Sequence, residues 1–243
     1  MQKIVNSVSK VNKEFNLIEN GDKIAVAVSG GKDSLVLLEC LSIMRRYFEI
    51  KFDLIAITIN LKFHGKYDDF SEVAKLCKKN DVPYIIYDSD IVDIVFNIRR
   101  EKSACSLCSK LRKGLINSIA KQHECNKVAL AHSLDDTVET FLMNLFSSGK
   151  FNCFGPKNFL SRAELIQIRP MVFLSETKIE AVAKKLNLPV VKSRCYVDGQ
   201  TNRQVMKNFL KREEAEFKNI KTMVFGAISR SKLEGWVKET KAN

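Results

Sequence analysis

Residues 24–35 of the chain read IAVAVSGGKDSL. The apolar run Ile24–Val28 predicts a buried strand, and apolar residues recurring every third position from Leu35 to Met44 predict an amphipathic helix. Between them, Gly30 and Gly31 allow a tight turn in which the backbone comes close to an anion, and the start of the helix offers unpaired N–H groups. This strand–loop–helix predicts a phosphate-binding loop, although its spacing is not the G-x-x-x-x-G-K-[ST] of the common P-loop.

The composition limits the class of protein to which the chain can belong. Its 243 residues suit one large domain or one domain with an appendage, and 45% hydrophobic residues are enough for a real core. No apolar run approaches the roughly 20 residues that span a bilayer, and residues 1–19 lack the apolar segment of a signal peptide. We therefore expect a cytoplasmic protein with no membrane partner.

The formal net charge is +12. Such a surplus favours a polyanionic partner such as nucleic acid, but a composition rich in Lys, Asn and Ile explains it equally well. The seven cysteines, without a secretory signal, favour metal or redox chemistry at some of them over a disulfide scaffold.

Strands and helices alternate along the chain. This alternation predicts an α/β fold, a doubly wound parallel sheet with helices on both faces. We expect an N-terminal helix (1–22) packed on a main domain (23–200) and a basic helical C-terminal extension (201–243). The predicted strands are 24–28, 52–59, 84–87, 127–131, 164–168 and 189–191, and 147–163 is predicted to be a loop.

In such a sheet, ligands bind at the carboxyl ends of the strands, where the strand order reverses. The phosphate loop, the turn at Asn60 and the segment 131–140 (AHSLDDTVET) all follow predicted strands. Ser133 and Asp136 fit a capping box, which gives Asp136 a structural role. Asp135 falls at the edge of the helix's buried face and is a candidate for holding magnesium or orienting the reacting group. His132 is either a site residue or a buried histidine beneath the loop.

Two cysteines, Cys105 and Cys108, stand at the start of a predicted helix. The positive end of that helix and the basic residues after it, Lys110, Arg112 and Lys113, predict lowered thiol pKa values. The pair fits a redox disulfide, half a zinc site, two ligands of an iron–sulfur cluster, or no function at all. Cys195 follows the last predicted strand. Cys40, Cys77 and Cys125 are predicted to be small core residues, and Cys153, in a loop, has no assigned role.

Several motifs of this chain resemble those of a known family. SGGKDS (29–34) resembles the pyrophosphate loop of the PP-loop ATPases, which split ATP into AMP and pyrophosphate to adenylate a substrate. The string CSLCSKLRKG (105–114), the His132–Glu139 element, Asn144-Leu145-Phe146 with Gly149-Lys150, and Ile168-Arg169-Pro170 occur in the same order as in the TtcA family. Members of that family are tRNA 2-thiocytidine synthetases.

The resemblance implies a PP-loop ATPase fold of the adenine nucleotide α-hydrolase type. It also implies a [4Fe–4S] cluster held by three cysteines, here Cys105, Cys108 and Cys195, with one iron free of protein ligand. Family members usually carry Pro-Cys-x-x-Cys-Gly at the third cysteine, whereas this chain reads Arg194-Cys-Tyr-Val-Asp-Gly199. If the family's ligand were the second of those cysteines, Asp198 would take its place. Ala131 also stands where a glycine is usual.

The implied reaction uses ATP and Mg²⁺. Ser29, Gly30, Gly31, Lys32, Asp33 and Ser34 would bind the phosphates, the region of Asn60 the adenine, and Asp33 or Asp135 the magnesium. A pyrimidine carbonyl of tRNA, with cytidine C2 in the anticodon loop favoured, would attack the α-phosphorus and then exchange its oxygen for sulfur. Basic residues would follow the RNA backbone; they include Lys207, Lys211, Arg212, Lys218 and Lys221.

The implied partners are tRNA, ATP and a sulfur donor, either sulfide or a cysteine desulfurase, and the family suggests a homodimer. Three alternatives stay open at this stage. Sulfur could pass through a persulfide on Cys105 or Cys195. The chain could instead be another adenylating enzyme, such as a tRNA ligase, an amidase or a thiolase of a different base or of a small molecule. It could also be an iron–sulfur RNA-binding redox sensor without catalysis.

Overall fold

The computed structural model describes residues 1–100, 104–197, 199 and 201–237. Within these ranges six strands form one sheet in the order β3-β2-β1-β4-β6-β5. Five of them run parallel, and only β5 is antiparallel to its neighbour β6. The predicted α/β fold is confirmed. The strands are β1 (Asp22–Ala27), β2 (Phe52–Leu61), β3 (Tyr84–Ser89), β4 (Lys127–Ala129), β5 (Lys157–Leu160) and β6 (Leu165–Ile168).

Helices connect and cover these strands. A short π-helical segment, Asp93–Ile98, occupies part of the stretch before α4 that showed no clear pattern in the sequence. No helix in the described part of the chain is both long enough and apolar enough to cross a membrane. The α-helices are α1 (Gln2–Phe15), α2 (Lys32–Tyr47), α3 (Ser71–Lys79), α4 (Ala104–Gln122), α5 (Leu134–Ser148), α6 (Glu176–Lys185), α7 (Asn202–Glu213) and α8 (Ile220–Arg230).

The sheet separates two apolar cores because successive side chains of a strand point to opposite faces. On β1, Ile24 and Val26 belong to the first core and Ala25 to the second. The first core also takes in α1, α2 and the C-terminal region, where Trp236 is only 1% exposed. The second core lies under α4. Burial on both faces explains why β1 and β2 are almost continuously apolar.

The strand order reverses between β1 and β4. The chain runs from β1 outward to β2 and β3, and then returns to place β4 on the other side of β1. The loops that follow β1 and β4 therefore leave the sheet in opposite directions and open a crevice between them. The loop after β1 is Ser29–Ser34, and the segment after β4 begins at Leu130.

Two local predictions are wrong. Residues 189–191 do not form a strand; Val191 instead donates its N–H to the Gly30 carbonyl (3.0 Å), so that this segment lies against the phosphate loop. The predicted loop 147–163 contains β5, an edge strand that forms a hairpin with β6. The sequence KNFL of β5 has two polar residues in four, too weak a pattern to show a strand.

A buried ion pair joins the starts of β1 and β4. Lys127 is 1% exposed, and its Nζ lies 2.7 Å from Asp22 Oδ2 and 2.9 Å from Glu19 Oε2. Asp22 is itself buried and also accepts hydrogen bonds from the Glu19 N–H and the Asn126 amide. Removal of the lysine would leave a buried carboxylate without its cation.

We expect Lys127→Met to lower the free energy of unfolding by about 3–5 kcal/mol, the usual cost of breaking a buried pair. Asp22→Asn in the same chain should recover part of that loss. Urea unfolding measures both. Lys121→Met is the matched control, since its pair with Glu164 is exposed and should cost less than about 1 kcal/mol. Equal losses at Lys127 and Lys121 would contradict the interpretation.

Candidate functional site

The phosphate loop connects β1 to α2 and is held by its own two serines. Ser34 donates its hydroxyl to the Gly31 carbonyl (2.8 Å) and accepts the N–H of Ser29 (3.2 Å). The N–H of Gly31 in turn contacts Ser29 Oγ (3.3 Å). These bonds close the loop over the start of α2, where backbone N–H groups are available to an anion.

Gly30 meets two requirements that only glycine satisfies here. Its φ of +80° lies in the left-handed region, and a Cβ at this position would lie 2.8 Å from Phe70 Cε1 and 2.9 Å from Val191 Cβ. The loop therefore packs directly against the segment 189–191. A side chain at residue 30 would push the two apart.

Lys32 and Asp33 begin α2 at the mouth of the crevice. Lys32 Nζ lies 3.0 Å from Glu176 Oε1, at the start of α6, and 3.1 Å from Asp33 Oδ2. Burial disfavours the charged lysine, but the bonds to Glu176 and Asp33 outweigh it and raise the pKa of Lys32. Burial also raises the pKa of Asp33, against the attraction of Lys32.

The segment after β4 forms the predicted capping box. Ser133 Oγ accepts the N–H of Asp136 (3.1 Å), and Asp136 Oδ2 accepts the N–H of Ser133 (2.8 Å). The other carboxylate oxygen, Oδ1, accepts a hydrogen bond from Arg203 of α7, whose second Nη bonds Thr140 (3.0 Å). Asp136 thus caps α5 and also orients an arginine.

Asp135 is 6% exposed and faces α6 and α8. Its Oδ2 accepts the N–H of Glu176 (2.7 Å), and its Oδ1 lies 2.9 Å from Lys221 Nζ. Lys207 similarly pairs with Glu176 at 2.7 Å. Lys207 and Lys221, which are expected to follow an RNA backbone, are thus both paired with carboxylates of the crevice in the ligand-free chain.

Burial, together with the charges of Arg169, Arg203 and Lys113, holds the pKa of His132 well below its usual range. The imidazole is therefore neutral at neutral pH. Its ring lies 4.7 Å from that of Phe154, which also stacks on the Arg169 guanidinium. Its Nδ1 is buried without a partner among the described residues.

A cavity of about 310 Å³ joins these elements. The phosphate loop lines it, together with residues of α4, the segment after β4 and α7. An adjoining cavity of about 200 Å³ is lined by carboxylates, Asp33 and Asp135 among them. The residues that line the larger cavity are Ala27, Ser29, Gly31, Asp33, Ser34, Ser109, Arg112, Lys113, Ile116, Leu130, Ala131, His132, Asp136 and Arg203.

Cys105 and Cys108, two of the three predicted cluster ligands, are free and lie three residues apart on α4. Arg112, four residues after Cys108 on the same face, lines the larger cavity. Cys195, the third, is also free, and its charge raises the pKa of both α4 thiols. Cys108 and Cys195 both pack against the second core.

The predicted lowering of the thiol pKa values is wrong. Burial raises the pKa of Cys105 and of Cys108, and Cys195 raises both further, while Arg112 offsets only part of this at Cys108. The sequence shows the basic residues but not the packing of Cys108 and Cys195 against the second core. Cys40, Cys77 and Cys125 are buried, as predicted.

The segment that carries Cys195 is fixed by its neighbours. Tyr196 packs edge-on against Phe63 and Phe96 and accepts the N–H of His64 at its hydroxyl (3.1 Å). Arg194 pairs with Asp68 at 2.6 Å. Asp198, the alternative third ligand, lies outside the described residues. Within those residues, no group of three or more His, Cys, Asp or Glu side chains is arranged to hold a single metal ion.

Asn60 stands apart from the other predicted site residues. It is 5% exposed, and its amide exchanges two hydrogen bonds of 3.1 Å with the backbone of Asp68. Its side chain does not line either cavity described above and instead fixes the loop that leads to Phe70. A contact between adenine and the Asn60 side chain would have to replace these bonds.

Three residues of the crevice were not recognised as site residues in the sequence: Arg203, Glu176 and Thr140. Arg203 and Glu176 lie on helices far from the phosphate loop in sequence, and no local motif marks them. Thr201 caps α7 by accepting the Gln204 N–H (3.2 Å). Threonine is a typical helix cap, so this residue could have indicated where α7 begins and where Arg203 lies on it.

Comparison with known proteins identifies a family and two enzymes of similar sequence. A family model described as a PP-loop domain matches residues 2–214. The tRNA-cytidine(32) 2-sulfurtransferase of Geobacter metallireducens is 38% identical over 231 residues, covering 94% of this chain and 89% of that protein. The enzyme of the same name from Geobacter sulfurreducens is 36% identical over 230 residues, covering 93% of this chain and 89% of that protein.

A solved structure shows a similar fold. The U34-tRNA thiolase NcsA from Methanococcus maripaludis, determined with its [4Fe-4S] cluster, matches with a TM-score of 0.74 at 22% identity. The match covers 94% of this chain and 77% of NcsA. At this identity the likeness establishes the shared fold.

We expect Gly30→Ala to weaken ATP binding by at least about tenfold, since its Cβ would displace the phosphate loop from Phe70 and Val191. Gly21→Ala is a matched control, because Gly21 has a similar φ of +83° but no atom within 4 Å of the added Cβ. Calorimetric titration with ATP measures the difference. Equal losses in the two variants would show that backbone strain, not the contact, is responsible.

The carboxyl of Glu139 should make the stability of the fold depend on pH. Burial and the nearby Asp136 raise its pKa from 4.5 to about 7. Between these values the unfolded chain loses its proton while the folded chain keeps it, so stability falls as pH rises through this window. Glu139→Gln should therefore be more stable than the natural chain at pH 8, on the order of 2 kcal/mol, with no gain below pH 4.5.

Urea midpoints at both pH values measure this effect in the ligand-free protein. Glu124→Gln, at a side chain that is 88% exposed, serves as the control. A gain at Glu139 that is the same at both pH values would rule out the titration of this carboxyl as its cause.

Proposed function

Because the chain belongs to the PP-loop family and, within it, to the tRNA-cytidine(32) 2-sulfurtransferases, we propose that it is an ATP-dependent tRNA thiolase. Its reaction would replace the C2 oxygen of cytidine 32 in the anticodon loop by sulfur. ATP would be split into AMP and pyrophosphate. The sulfur donor is proposed to be sulfide or a cysteine desulfurase, and the site of action the cytoplasm.

One observation carries the proposal. The helix that carries Cys105 and Cys108 also lines the cavity of the phosphate loop, beginning with Ser109, the residue after Cys108. A base activated at the phosphate loop would therefore lie close to the helix that carries these two thiols. A ligase or amidase would need the phosphate loop but would leave the three adjacent free cysteines without a role.

The residues suit the adenylation of a carbonyl. The phosphates of ATP would bind the N–H groups of the Ser29–Ser34 loop, with Lys32 near their charge. The base carbonyl oxygen forms a bond to the α-phosphorus, and the bond between that phosphorus and the bridging oxygen breaks to release pyrophosphate. Mg²⁺ commonly binds one or two carboxylates together with phosphates, and Asp33 and Asp135 line the adjoining cavity.

The adenylated oxygen then leaves as AMP when sulfur bonds to the carbon. His132, which lines the cavity and is neutral, does not add charge to the crevice. A base within a stem could not enter the cavity, so the substrate has to be an unpaired loop nucleotide. Such a base lies splayed out of the stack and exposes its carbonyl.

The thiols of Cys105, Cys108 and Cys195 fit an iron–sulfur cluster. Each is free, they lie near one another, and thiolate sulfur is the donor that these clusters use. Each cysteine of such a cluster binds its own iron, so the geometry of a single-ion site is not required. When bound, the cluster would supply sulfur to the activated carbon. The chain's own part would be to hold the base carbonyl at the phosphate loop and the thiols on and near the helix α4, which lines the same cavity.

The decisive experiment is anaerobic purification followed by iron and sulfide analysis, and then an assay with ATP, Mg²⁺, sulfide and unmodified tRNA. We expect about four irons and four sulfides per chain and 2-thiocytidine in the digested tRNA by mass spectrometry. Thiolation in the absence of iron would reject the cluster as the group that supplies the sulfur. Absence of any thiolated nucleoside would reject the proposed function.

Cys105→Ala should lose the cluster and all thiolation. Cys125→Ala is the matched control, because Cys125 follows the far end of α4 and should leave both intact. Iron content and 2-thiocytidine yield are measured on both variants. A fully active Cys105→Ala protein would show that this thiol is not a ligand.

A further inference from the structure

Arg203 lies in the first turn of α7, a helix of the C-terminal region. Thr201 fixes that turn by accepting the Gln204 N–H, and Arg203 projects from it toward α5. Its side chain is 39% exposed, so that water and ligands reach it. The position is therefore accessible and yet held by the fold.

Two side chains of α5 orient the guanidinium. Asp136 Oδ1 accepts from Nη1, and Thr140 Oγ1 accepts from Nη2 at 3.0 Å. Asp136 and Thr140 are four residues apart and lie on one face of α5. A guanidinium has five N–H donors in one plane, so two contacts on one edge fix the plane and leave donors for a further partner.

The surroundings show where those donors can act. Arg203 lines the larger cavity together with Ser29, Gly31 and Ser34, and it also lines the smaller acidic cavity. Its charge contributes to the lowered pKa values of His132 and Lys113 on the far walls. Among the described residues that line these two cavities, it is the one cation common to both.

The other cations near these cavities are placed differently. Lys207 pairs with Glu176 and lines only the smaller cavity, and Lys221, which pairs with Asp135, lines neither. Arg112 and Lys113 of α4 line only the larger cavity. Arg203 is paired with Asp136 but lines both cavities.

We propose that Arg203 binds the polyphosphate of ATP and the pyrophosphate that leaves. The inference rests on the proposed cleavage of ATP between its α- and β-phosphates. When that bond breaks, the bridging oxygen departs with the electron pair and adds negative charge to pyrophosphate. A planar, oriented guanidinium offsets this charge through paired hydrogen bonds, as arginine commonly does with phosphates. The C-terminal extension thereby becomes part of the nucleotide site.

Binding measurements on the full chain test this proposal. Calorimetric titrations with pyrophosphate, ATP and AMP, each with Mg²⁺, are made on the natural protein, Arg203→Ala and Arg203→Lys. We expect Arg203→Ala to weaken pyrophosphate and ATP by about 10- to 100-fold and AMP by less than about threefold. Arg203→Lys should lie between, since it keeps the charge but loses the planar fork.

Arg212→Ala is the matched control, because Arg212 is on the same helix with a side chain that is 74% exposed, and it should change none of the three affinities. An equal loss for AMP and pyrophosphate would mean that Arg203 only supports the fold, and this would overturn the proposal. Unchanged pyrophosphate affinity would overturn it too. If Arg203→Ala does not fold, Arg203→Lys is used instead, and its loss of affinity for pyrophosphate is compared with its loss of affinity for AMP.

The measurement needs no tRNA, iron or sulfide. A chain that binds pyrophosphate through Arg203 but does not thiolate tRNA would reject the proposed function and leave this inference intact. If the natural chain thiolates tRNA and Arg203→Ala binds pyrophosphate as tightly as the natural chain does, this inference is rejected and the proposed function stands.

Discussion

The parallel pairing of β1 with β4 is the constraint on which the site depends. Its register places Ile24 opposite Lys127 and Val26 opposite Ala129, so that the two strands end at the same edge of the sheet. The phosphate loop follows one strand and the His132 segment the other, and the chain turns away in opposite directions after each. A shift of one residue in this register would turn the buried side chains of β4 to the wrong face. The ion pair of Lys127 with Asp22 helps to fix the register at its start.

Burial sets the chemistry of the groups around this edge more than net charge does. The two α4 thiols have raised pKa values although basic residues follow them on the helix, because desolvation disfavours their charged forms; Cys108 is packed against the second core. His132 is kept neutral by burial and by three neighbouring cations. Metal binding would reverse the situation at the thiols, since a metal replaces the proton and burial then protects the bond from water. Raised thiol pKa values in the ligand-free chain are thus compatible with a metal-binding role.

The sequence predicted the elements that are marked by local patterns. The apolar run before Ser29, the glycine pair and the capping box at Ser133 each depend on neighbours within a few residues, and the structure has all of them. What depends on distant neighbours was not predictable. Val191 looked like a strand residue because it is β-branched, but its N–H bonds the Gly30 carbonyl, a contact that no local pattern shows. Arg203 likewise becomes a cavity residue only through the packing of α7 on α5. The exchange of hydrogen bonds between Asn60 and Asp68 was hidden for the same reason.

The basic C-terminal region has a further role in the folded chain that its net charge does not show. Its positive charge suggested a surface for a polyanion, yet Arg203, Lys207 and Lys221 each pair with a carboxylate of the crevice. Five carboxylates around a cavity of about 200 Å³ would repel one another without these cations. In the ligand-free chain, α7 and α8 therefore supply positive charge to this cavity. Mg²⁺ bound together with ATP would add its own positive charge among these carboxylates, and Arg203 and Lys207 would then be available to phosphate oxygens. Nucleotide binding and the position of α7 should accordingly be coupled, because the same carboxylates serve both.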